Sequence, residues 1–168
     1  GTDLAKAVMQ LIPEPWQNNT EMNPTKRDFY EYNATMMEPW DGPAAIIFTD
    51  GDVMGAVLDR NGLRPSRYYV TKDGYLVLSS EVGVLDIEPE RIARKDRLRP
   101  GKMLLVDTKQ KRIITDDEIK MKYASQHPYG EWLQTNLVKL KDLPIPNQNT
   151  IHIKGEELAK QEKMFDYS

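Results

Sequence analysis

The 168-residue sequence has no cysteine, and its two histidines, His127 and His152, stand far apart. The absence of cysteine excludes a disulfide framework. Neither histidine has a carboxylate at ligand spacing, whereas a metal site needs three or four converging ligands. We therefore expect no metal site in this chain.

Several other signals are missing as well. No apolar run approaches the ~20 residues that span a bilayer, and the start is not of the signal-peptide type. These absences predict a cytoplasmic location and no membrane partner. The motifs GxGxxG, GxxxxGK[ST] and GxSxG do not occur, so the sequence indicates no glycine-rich phosphate loop and no nucleophile elbow. A formal charge of −3, from 23 basic and 26 acidic residues, argues against a nucleic-acid partner.

What the sequence does contain is the composition of one globular domain, with 39% hydrophobic and 29% charged residues. Its first part predicts two helices. Thr2 is a candidate cap for the first helix, in which apolar residues recur at helical spacing (Leu4, Val8, Leu11 and Ile12). Asn23-Pro24 starts the second helix, which ends before Pro39 and places four residues on one face (Phe29, Asn33, Met36 and Met37).

The middle of the chain has the pattern of antiparallel strands. Asp50-Gly51 and Asp73-Gly74 are tight-turn dipeptides, and each lies between two runs of strand-forming residues. These runs are Pro43–Thr49 with Val53–Leu58, and Tyr68–Thr71 with Tyr75–Ser80. A later pair, Met103–Asp107 with Arg112–Ile114, has the same character. We therefore predict an antiparallel meander.

Helical signals return after this segment. Thr115 and Glu118 form a candidate capping box, and Pro128 precedes another helix (bearing Trp132, Leu133, Leu137 and Leu140). Residues 143–150 have the composition of a linker, and residues 155–165 fit a short helix or a frayed end. The residues alone thus predict an α+β domain, with an antiparallel meander and flanking helices.

Three local features are candidates for chemistry, and each has a simpler structural explanation. The acidic run at Asp116, Asp117 and Glu118 suits acid–base work, but a first helical turn favours these charges anyway. The basic segment Arg91–Lys102 has no interleaved aromatic residue for base stacking, which favours a solvated loop or contact with an acidic neighbouring domain. Thr2 is a nucleophile only with a free amine, and Gly1 precedes it, so a helix cap is favoured.

Four longer strings carry a resemblance to a known family. They are LIPEPWQNN (Leu11–Asn19), FYEYNATMMEPWDGPA (Phe29–Ala44), LDRNGLRPSRYYVTKDGYLVLSSEVGV (Leu58–Val84) and HPYGEWL (His127–Leu133). In order and spacing these strings resemble the later half of the glutaminase domain of glutamate synthase large subunits, over about residues 4–143. A looser form of the third string, ending in G-[IL]-R-P, also occurs in amidophosphoribosyltransferases, within the wider class of N-terminal-nucleophile amidotransferases.

The resemblance implies a four-layer α-β-β-α sandwich, of which residues 1–142 form the later half and residues 143–168 a linker and tail. It also implies a mechanism in which an N-terminal cysteine hydrolyses glutamine to glutamate and ammonia. In the family, ammonia passes to a synthase domain that uses flavin mononucleotide and an iron–sulfur cluster to make glutamate from 2-oxoglutarate. No cofactor is expected in this segment itself.

The departures from the family decide what this chain contributes. The family's cysteine, its oxyanion-forming Asn-Gly pair and its substrate-holding residues all lie upstream of the matched segment, and Asn61-Gly62 belongs to a different string. No catalytic, cofactor-binding or metal-binding residue therefore maps onto this sequence. We expect a scaffold that is inactive alone, with the upstream half and the synthase domain as partners. Half of a sandwich should leave apolar surface uncovered, which favours such a partner or a homodimer.

Two structural expectations and two alternatives complete the interpretation. Arg60, Asn61 and Arg64 are expected to bridge loops, with Glu81 as a partner, and Arg64 to support thermal stability. Trp16 and Trp40 are expected to pack helices against the sheet. The alternatives are a fragment of another class II amidotransferase, such as the phosphoribosyl one, or a non-catalytic interaction module.

Overall fold

The computed structural model describes residues 2–144, 155–157 and 159–160. The chain divides into a main unit, residues 1–137, and a second unit, residues 138–168, in which Leu140–Asp142 forms a 3₁₀ turn. No helix in the described ranges is both long and apolar enough to cross a bilayer. The α-helices of the main unit are α1 (Leu4–Leu11), α2 (Pro24–Ala34), α3 (Asp116–Ala124) and α4 (Tyr129–Asn136).

Within the described residues, seven strands form two antiparallel sheets, which confirms the α+β fold class. The four-stranded sheet has the order β1-β2-β6-β7, and the three-stranded sheet has the order β4-β3-β5. The strands are not one continuous meander, because β2 pairs with β6 and the three strands between them form a sheet of their own. The bounds are β1 (Ala45–Thr49), β2 (Val53–Leu58), β3 (Arg67–Thr71), β4 (Leu76–Ser79), β5 (Ile92–Arg97), β6 (Met103–Asp107) and β7 (Arg112–Ile114).

Strand β5 lies where the sequence favours a solvated loop, so that expectation was wrong. Its sequence, IARKDR, lacks the apolar alternation of a half-buried strand. It pairs with only one neighbour, β3, and it is mostly exposed. Charged residues are common on such edge strands because they discourage pairing with a further chain.

The pleat of the four-stranded sheet separates two apolar clusters. On β2 and β6, Val57, Met103 and Leu105 contact the helices, where they join the larger cluster. Leu58 and Leu104 point the other way and pack with Tyr68 of the three-stranded sheet. The described part of the main unit therefore has three layers, namely helices, four-stranded sheet and three-stranded sheet.

Helix ends differ from the sequence prediction in several places. Asp3, not Thr2, is the N-cap residue of α1, and Thr2 is exposed. The Asn23 cap of α2 is confirmed, since its side chain accepts a hydrogen bond from the Thr25 amide at 2.9 Å. Because α2 ends at Ala34, two residues placed on its buried face are exposed instead (Met36 and Met37).

The last two helices show the same kind of difference. Helix α4 ends at Asn136, so Leu137 is its C-cap residue and Leu140 is an exposed residue of the second unit. In α3, Thr115 Oγ1 accepts from the Glu118 amide at 3.3 Å, as a capping box requires. The Glu118 carboxylate binds Arg112 instead of returning to the cap, so only half of the box forms.

Candidate functional site

The loop between β2 and β3 contains the DRNGLRP string and is organised by one buried carboxylate, Asp59. Its Oδ1 accepts from the Ala44 amide at 3.2 Å, and its Oδ2 accepts from the amides of Asn61 and Gly62 at 2.9 and 3.2 Å. Burial raises the pKa of the Asp59 carboxyl, but these backbone donors outweigh it and hold the pKa below its usual value. The charged form of Asp59 therefore fixes the path by which the chain leaves the four-stranded sheet.

Gly62 is required at the tip of this loop. Its φ of +61° lies in the left-handed region, and a Cβ built on it would come within 2.4 Å of Pro100 Cγ. The Asp59 carbonyl accepts from Gly62 at 3.1 Å and also from Gly101 at 3.2 Å. The Asn61-Gly62 pair thus serves a turn packed on Pro100-Gly101.

The predicted charged bridges around this loop are only partly present. Arg60 binds Asp41 at 3.2 Å, and both side chains are largely exposed. Asn61 acts through its backbone amide. Arg64 is exposed, and in the described ranges no ion pair joins it to Glu81. Glu81 was therefore the wrong partner for this group, since Arg60 binds Asp41 and the Asp59 carboxylate accepts from the Asn61 amide.

A six-residue ion cluster lies where α1, α2, α3 and β6 converge. It consists of three carboxylates and three ammonium groups, so its formal charges balance. Lys120 is 2% exposed, and its Nζ lies 2.8 Å from Asp116 and 3.1 Å from Glu14, and donates to the Gly101 carbonyl at 2.8 Å. The members are Glu14, Lys26, Lys102, Asp116, Asp117 and Lys120.

This ion cluster accounts for the acidic run of α3. Asp116 accepts from Lys102 at 2.8 Å and from the Met103 amide at 2.8 Å, in addition to Lys120. Burial raises the pKa of the Asp116 carboxyl, but Lys120 and these donors outweigh it, so the pKa lies below its usual value. Asp117 binds Lys26 at 3.4 Å. Because the carboxylates of this run bind separate basic side chains, they hold α3 on the sheet and form no acid–base pair.

The one histidine within the described ranges belongs to an aromatic cluster. His127 stacks on Trp132 with ring centroids 5.5 Å apart and meets the edge of Tyr129 at 5.6 Å. The other histidine, His152, lies outside the described residues. No group of three potential metal-ligating side chains occurs in the part of the chain that the structure describes. His127 thus packs against two aromatic side chains of α4.

The two tryptophans expected to pack helices against the sheet behave differently. Trp16 is partly buried against the helix-facing core, which confirms its packing role. Trp40 is 59% exposed, so the same expectation for it was wrong. Its backbone amide instead donates to the Leu11 carbonyl at 2.8 Å, which fixes the main chain and leaves the indole free.

Part of the basic segment Arg91–Lys102 forms strand β5 of the three-stranded sheet. Arg91 binds Asp73 at 2.7 Å, and Arg94 binds Asp96 at 2.7 Å. Sequence alone indicated no aromatic residues among these charges, but pairing with β3 brings two tyrosine rings beside them. Arg94 lies 5.8 Å from the ring centroid of Tyr68, and Lys95 lies 5.8 Å from that of Tyr69.

An apolar opening lies beside strands of both sheets, and we call it the inter-sheet cleft. It has a volume of about 320 Å³. Ile47 and Met54 of the four-stranded sheet are 64% and 47% exposed, and Leu85, in the loop after β4, is 58% exposed. The lining also includes Ala56, Leu76, Leu78, Leu104 and Val106. Adjacent exposed apolar side chains of this kind indicate a surface that binds another polypeptide.

Three of these features were missed by sequence reasoning. Asp59 was not recognised within the DRNGLRP string, although an aspartate three residues before a glycine, in Asp59-Arg60-Asn61-Gly62, is a signal for a loop-stabilising turn. Lys120 was not singled out, and its spacing of four residues from Asp116 was the available signal. The inter-sheet cleft was anticipated only as uncovered apolar surface, since its location depends on how the strands divide between sheets.

Comparisons with known proteins show the family of this sequence. A family model described as glutamine amidotransferases class-II matches residues 1–132. The glutamate synthase (NADPH) large chain of Bacillus subtilis is 51% identical over all of this chain, which is 11% of that protein. The glutamate synthase (NADH) of Schizosaccharomyces pombe is 51% identical over 83% of this chain and 7% of that protein. The ferredoxin-dependent glutamate synthase of rice, Oryza sativa, is 39% identical over all of this chain and 10% of that protein. The chain thus spans about a tenth of the length of these curated relatives.

Proposed function

This chain belongs to the class II glutamine amidotransferase family, and we propose that it forms the later half of the glutaminase domain of a glutamate synthase. In that role it supports the hydrolysis of glutamine to glutamate and ammonia, which the parent uses to aminate 2-oxoglutarate reductively. The observation that carries the proposal is the 51% identity to a glutamate synthase large chain along the whole sequence. A phosphoribosyl-type amidotransferase is disfavoured, since the relatives compared above are glutamate synthases.

The residues of this chain supply a scaffold in the proposed reaction. The resemblance implies a cysteine thiol that attacks the glutamine side-chain amide, and this sequence has no cysteine. The loop held by Asp59 and the ion cluster around Lys120 instead fix the sheets and helices relative to each other. We infer that the nucleophile and the substrate-holding residues come from an upstream segment of the parent.

The two cofactors expected of the parent do not fit the residues of this chain. Iron–sulfur clusters are held by cysteine thiolates, of which there are none here. The sequence also offers no glycine-rich loop whose backbone amides would cradle a flavin phosphate. Both groups are therefore proposed for the synthase domain.

The electron donor is also proposed to be selected outside this segment. Relatives named for NADPH and for ferredoxin both align with the whole of this chain. A segment shared by enzymes with different donors is a poor candidate for donor recognition. A cytoplasmic location remains a prediction from the sequence.

The inter-sheet cleft is the proposed binding surface for the upstream half of the domain. Ile47 and Met54 of the four-stranded sheet and Leu85 of the loop after β4 present exposed apolar side chains at one opening. A segment that fills this opening would bury their surface, at a gain of roughly 25 cal/mol per Å². A second copy of this chain is the competing occupant, since the same apolar surface supports a homodimer.

The experiment that tests this function is a complementation assay. Ammonia release from glutamine is measured for this chain alone, for the cysteine-bearing upstream segment of the parent alone, and for the two mixed. We expect activity only in the mixture. Activity from this chain alone would overturn the proposal and return attention to Thr2. Binding of the upstream segment without activity would support the interaction module instead.

Two variants test whether the upstream segment binds in the inter-sheet cleft. Ile47→Asp places a charge in the inter-sheet cleft and should abolish complementation, because burying an unpaired charge is costly. Leu63→Asp alters a comparably exposed apolar side chain outside the cleft and should complement normally. Equal activity of the two variants would remove the cleft from the proposal while leaving the glutaminase assignment intact.

A further inference from the structure

The outer face of the three-stranded sheet, turned away from the four-stranded sheet, carries a group of positive charges. On β3, Tyr68 packs in the cluster between the two sheets. Because side chains alternate along a strand, Arg67 and Tyr69 point to the opposite side. Arg67 lies directly across from Arg97 of β5, and Tyr69 lies directly across from Lys95. We call Arg67, Tyr69, Lys95 and Arg97 the basic face.

Side-chain contacts on both sides of the sheet agree with this alternation. Lys95 Nζ lies 5.8 Å from the centroid of the Tyr69 ring, so these two residues of the basic face share one side. On the inner side, the Tyr68 hydroxyl donates to Asp96 at 3.2 Å, and Arg94 binds the same carboxylate at 2.7 Å. The inner side of β5 therefore has a carboxylate for its cation.

The three cations of the basic face have no such partner within the described ranges. Arg67, Lys95 and Arg97 are exposed, and none of them belongs to an ion pair in that part of the chain. Ser79, which lies across from Arg67 on β4, is uncharged. Like charges directly across a ladder destabilise a sheet, and Arg67 with Arg97 is such a pair. A carboxylate bound between the two arginines would remove this repulsion.

The chemistry of the basic face fits an acidic polypeptide. A guanidinium group binds a carboxylate through two parallel N–H donors. Residues directly across a ladder have Cβ atoms about 5 Å apart, so a single acidic segment can reach both Arg67 and Arg97. A nucleic acid is a poorer fit, because the chain as a whole has a formal charge of −3.

The acidic segment is expected within the parent polypeptide. The chain spans 11% of the Bacillus subtilis glutamate synthase large chain, so most of the surface of a comparable parent lies outside these residues. A second copy of this chain, docked by two-fold symmetry through the same face, would bring the arginines of both copies together and be repelled. Pairing of a further strand with the edge of β5 is also disfavoured, since the Arg97 amide already donates to Asp96 at 2.8 Å.

We propose that the basic face is a docking surface for an acidic segment of the parent polypeptide outside these 168 residues, whose carboxylates bind Arg67, Lys95 and Arg97. The proposal rests on the proposed function, because it takes the parent to be a glutamate synthase. It adds a charged contact on the outer side of the three-stranded sheet to the apolar contact in the inter-sheet cleft. Complementary charges of this kind fix the register between two surfaces more than they add affinity.

The test is carbodiimide cross-linking of the full-length parent, which joins a lysine amine to a carboxylate in direct contact, followed by peptide mass spectrometry. We expect Lys95 to be linked to an aspartate or glutamate of the parent outside these 168 residues. The exposed ion pair of Lys109 with Asp52 is the internal control and should be linked as well.

Three outcomes of the cross-linking would overturn the proposal. The first is the control link without any link at Lys95. The second is a link from Lys95 only to this same segment in another copy of the parent. The third is a link at Lys95 that forms only after nuclease treatment, which would assign the basic face to a nucleic acid.

Charge reversal in the parent locates the contact. Arg67→Glu with Arg97→Glu should lower the yield of the Lys95 link at least about fivefold, because carboxylates then face carboxylates. Lys111→Glu with Lys122→Glu makes the same change in net charge at exposed residues of the β6–β7 turn and of α3, and should leave the yield unchanged. Equal yields in the two double variants would overturn the contact, and the cross-linking itself needs no substitution should a variant fold poorly.

Ammonia release from glutamine, measured on the same samples, keeps this proposal separate from the proposed function. An unsubstituted parent that releases no ammonia would refute the glutaminase assignment. A parent that releases ammonia but shows no Lys95 link would refute the docking surface alone.

Discussion

The two faces of the four-stranded sheet are buried to different degrees. The helix-facing side packs a large cluster that includes Phe29 at 0% and Met9 at 1% exposure. The opposite side shares a smaller cluster with the three-stranded sheet and then opens into the inter-sheet cleft. Alternate residues of the same strands serve both sides, as Leu104 and Leu105 show.

The helix-facing side is therefore packed within this chain, whereas the inter-sheet side has exposed apolar surface that a partner can cover. On the helix-facing side, apolar burial and the ion cluster around Lys120 leave little surface unused. On the inter-sheet side, Ile47 and Leu85 remain more than half exposed. The stability of the chain should therefore come mostly from the first side, and its capacity for assembly from the second.

The largest expected effect comes from truncating one leucine on each side of strand β6. Leu105→Ala should lower the free energy of unfolding by about 4 kcal/mol, because it leaves a closed cavity beneath the helices. Leu104→Ala should cost about 2.5 kcal/mol, because its neighbourhood already opens into the inter-sheet cleft and can relax. Urea unfolding of both variants measures the two values. Equal losses would contradict the distinction between the two sides.

The ion cluster offers the next largest effect. Lys120→Met keeps the size of the side chain but leaves Glu14 and Asp116 short of a counter-charge, and it should cost about 3 kcal/mol. Lys109→Met breaks the exposed ion pair with Asp52 and should leave the unfolding midpoint unchanged. Denaturant unfolding at neutral pH compares them. If Lys120→Met were as stable as the unsubstituted chain, the ion cluster would not anchor α3.

Acid should weaken the helix-facing side through Asp116. The folded-state pKa of this carboxyl lies below its ordinary value of 3.8, so the stability it contributes is present above that value and is lost as the pH falls through the folded pKa. Thermal unfolding between neutral pH and pH 2 should therefore show an acid limb. Asp116→Asn should be less stable at neutral pH and should lose less on acidification. If Asp116→Asn lost as much thermal stability on acidification as the unsubstituted chain, other carboxyl groups would be the cause of the acid sensitivity.

The smallest effect on stability is expected in the inter-sheet cleft. The double variant Ile47→Ser with Met54→Ser should change the free energy of unfolding by less than about 0.5 kcal/mol, because both side chains are exposed already. It should reduce self-association, as measured by sedimentation. Leu63→Ser, outside the cleft, is the control and should not change self-association. A clear loss of stability in the double variant would mean that the cleft is closed in solution.

Much of this architecture was predictable from local signals. Both Asp-Gly hairpins, the Asn23 cap and the β6–β7 pair appear where the sequence places them. These features depend on turn chemistry and alternation within a few residues. The α+β fold class and the resemblance to class II glutamine amidotransferases were likewise confirmed.

The remainder depends on contacts between distant residues. Strand β5 has no apolar alternation, and only its pairing with β3 makes it a strand. Trp40 looks like a core residue by type, yet the path of the chain after α2 leaves it exposed. The role of the Asp59 carboxylate is recognisable only once its surroundings are known, since burial and backbone donors decide it.

The pairing of β2 with β6 has a consequence for how the chain folds. Every residue of the three-stranded sheet lies between Leu58 and Met103, so that β2 meets β6 only by closing a long loop. Loop closure is entropically less costly when the intervening chain is already compact. We therefore expect the β3–β4–β5 segment, whose pairings are nearer in sequence, to be ordered early in the transition state, and the β2–β6 ladder to form late. The sheet that is most buried in the finished protein would then be completed last.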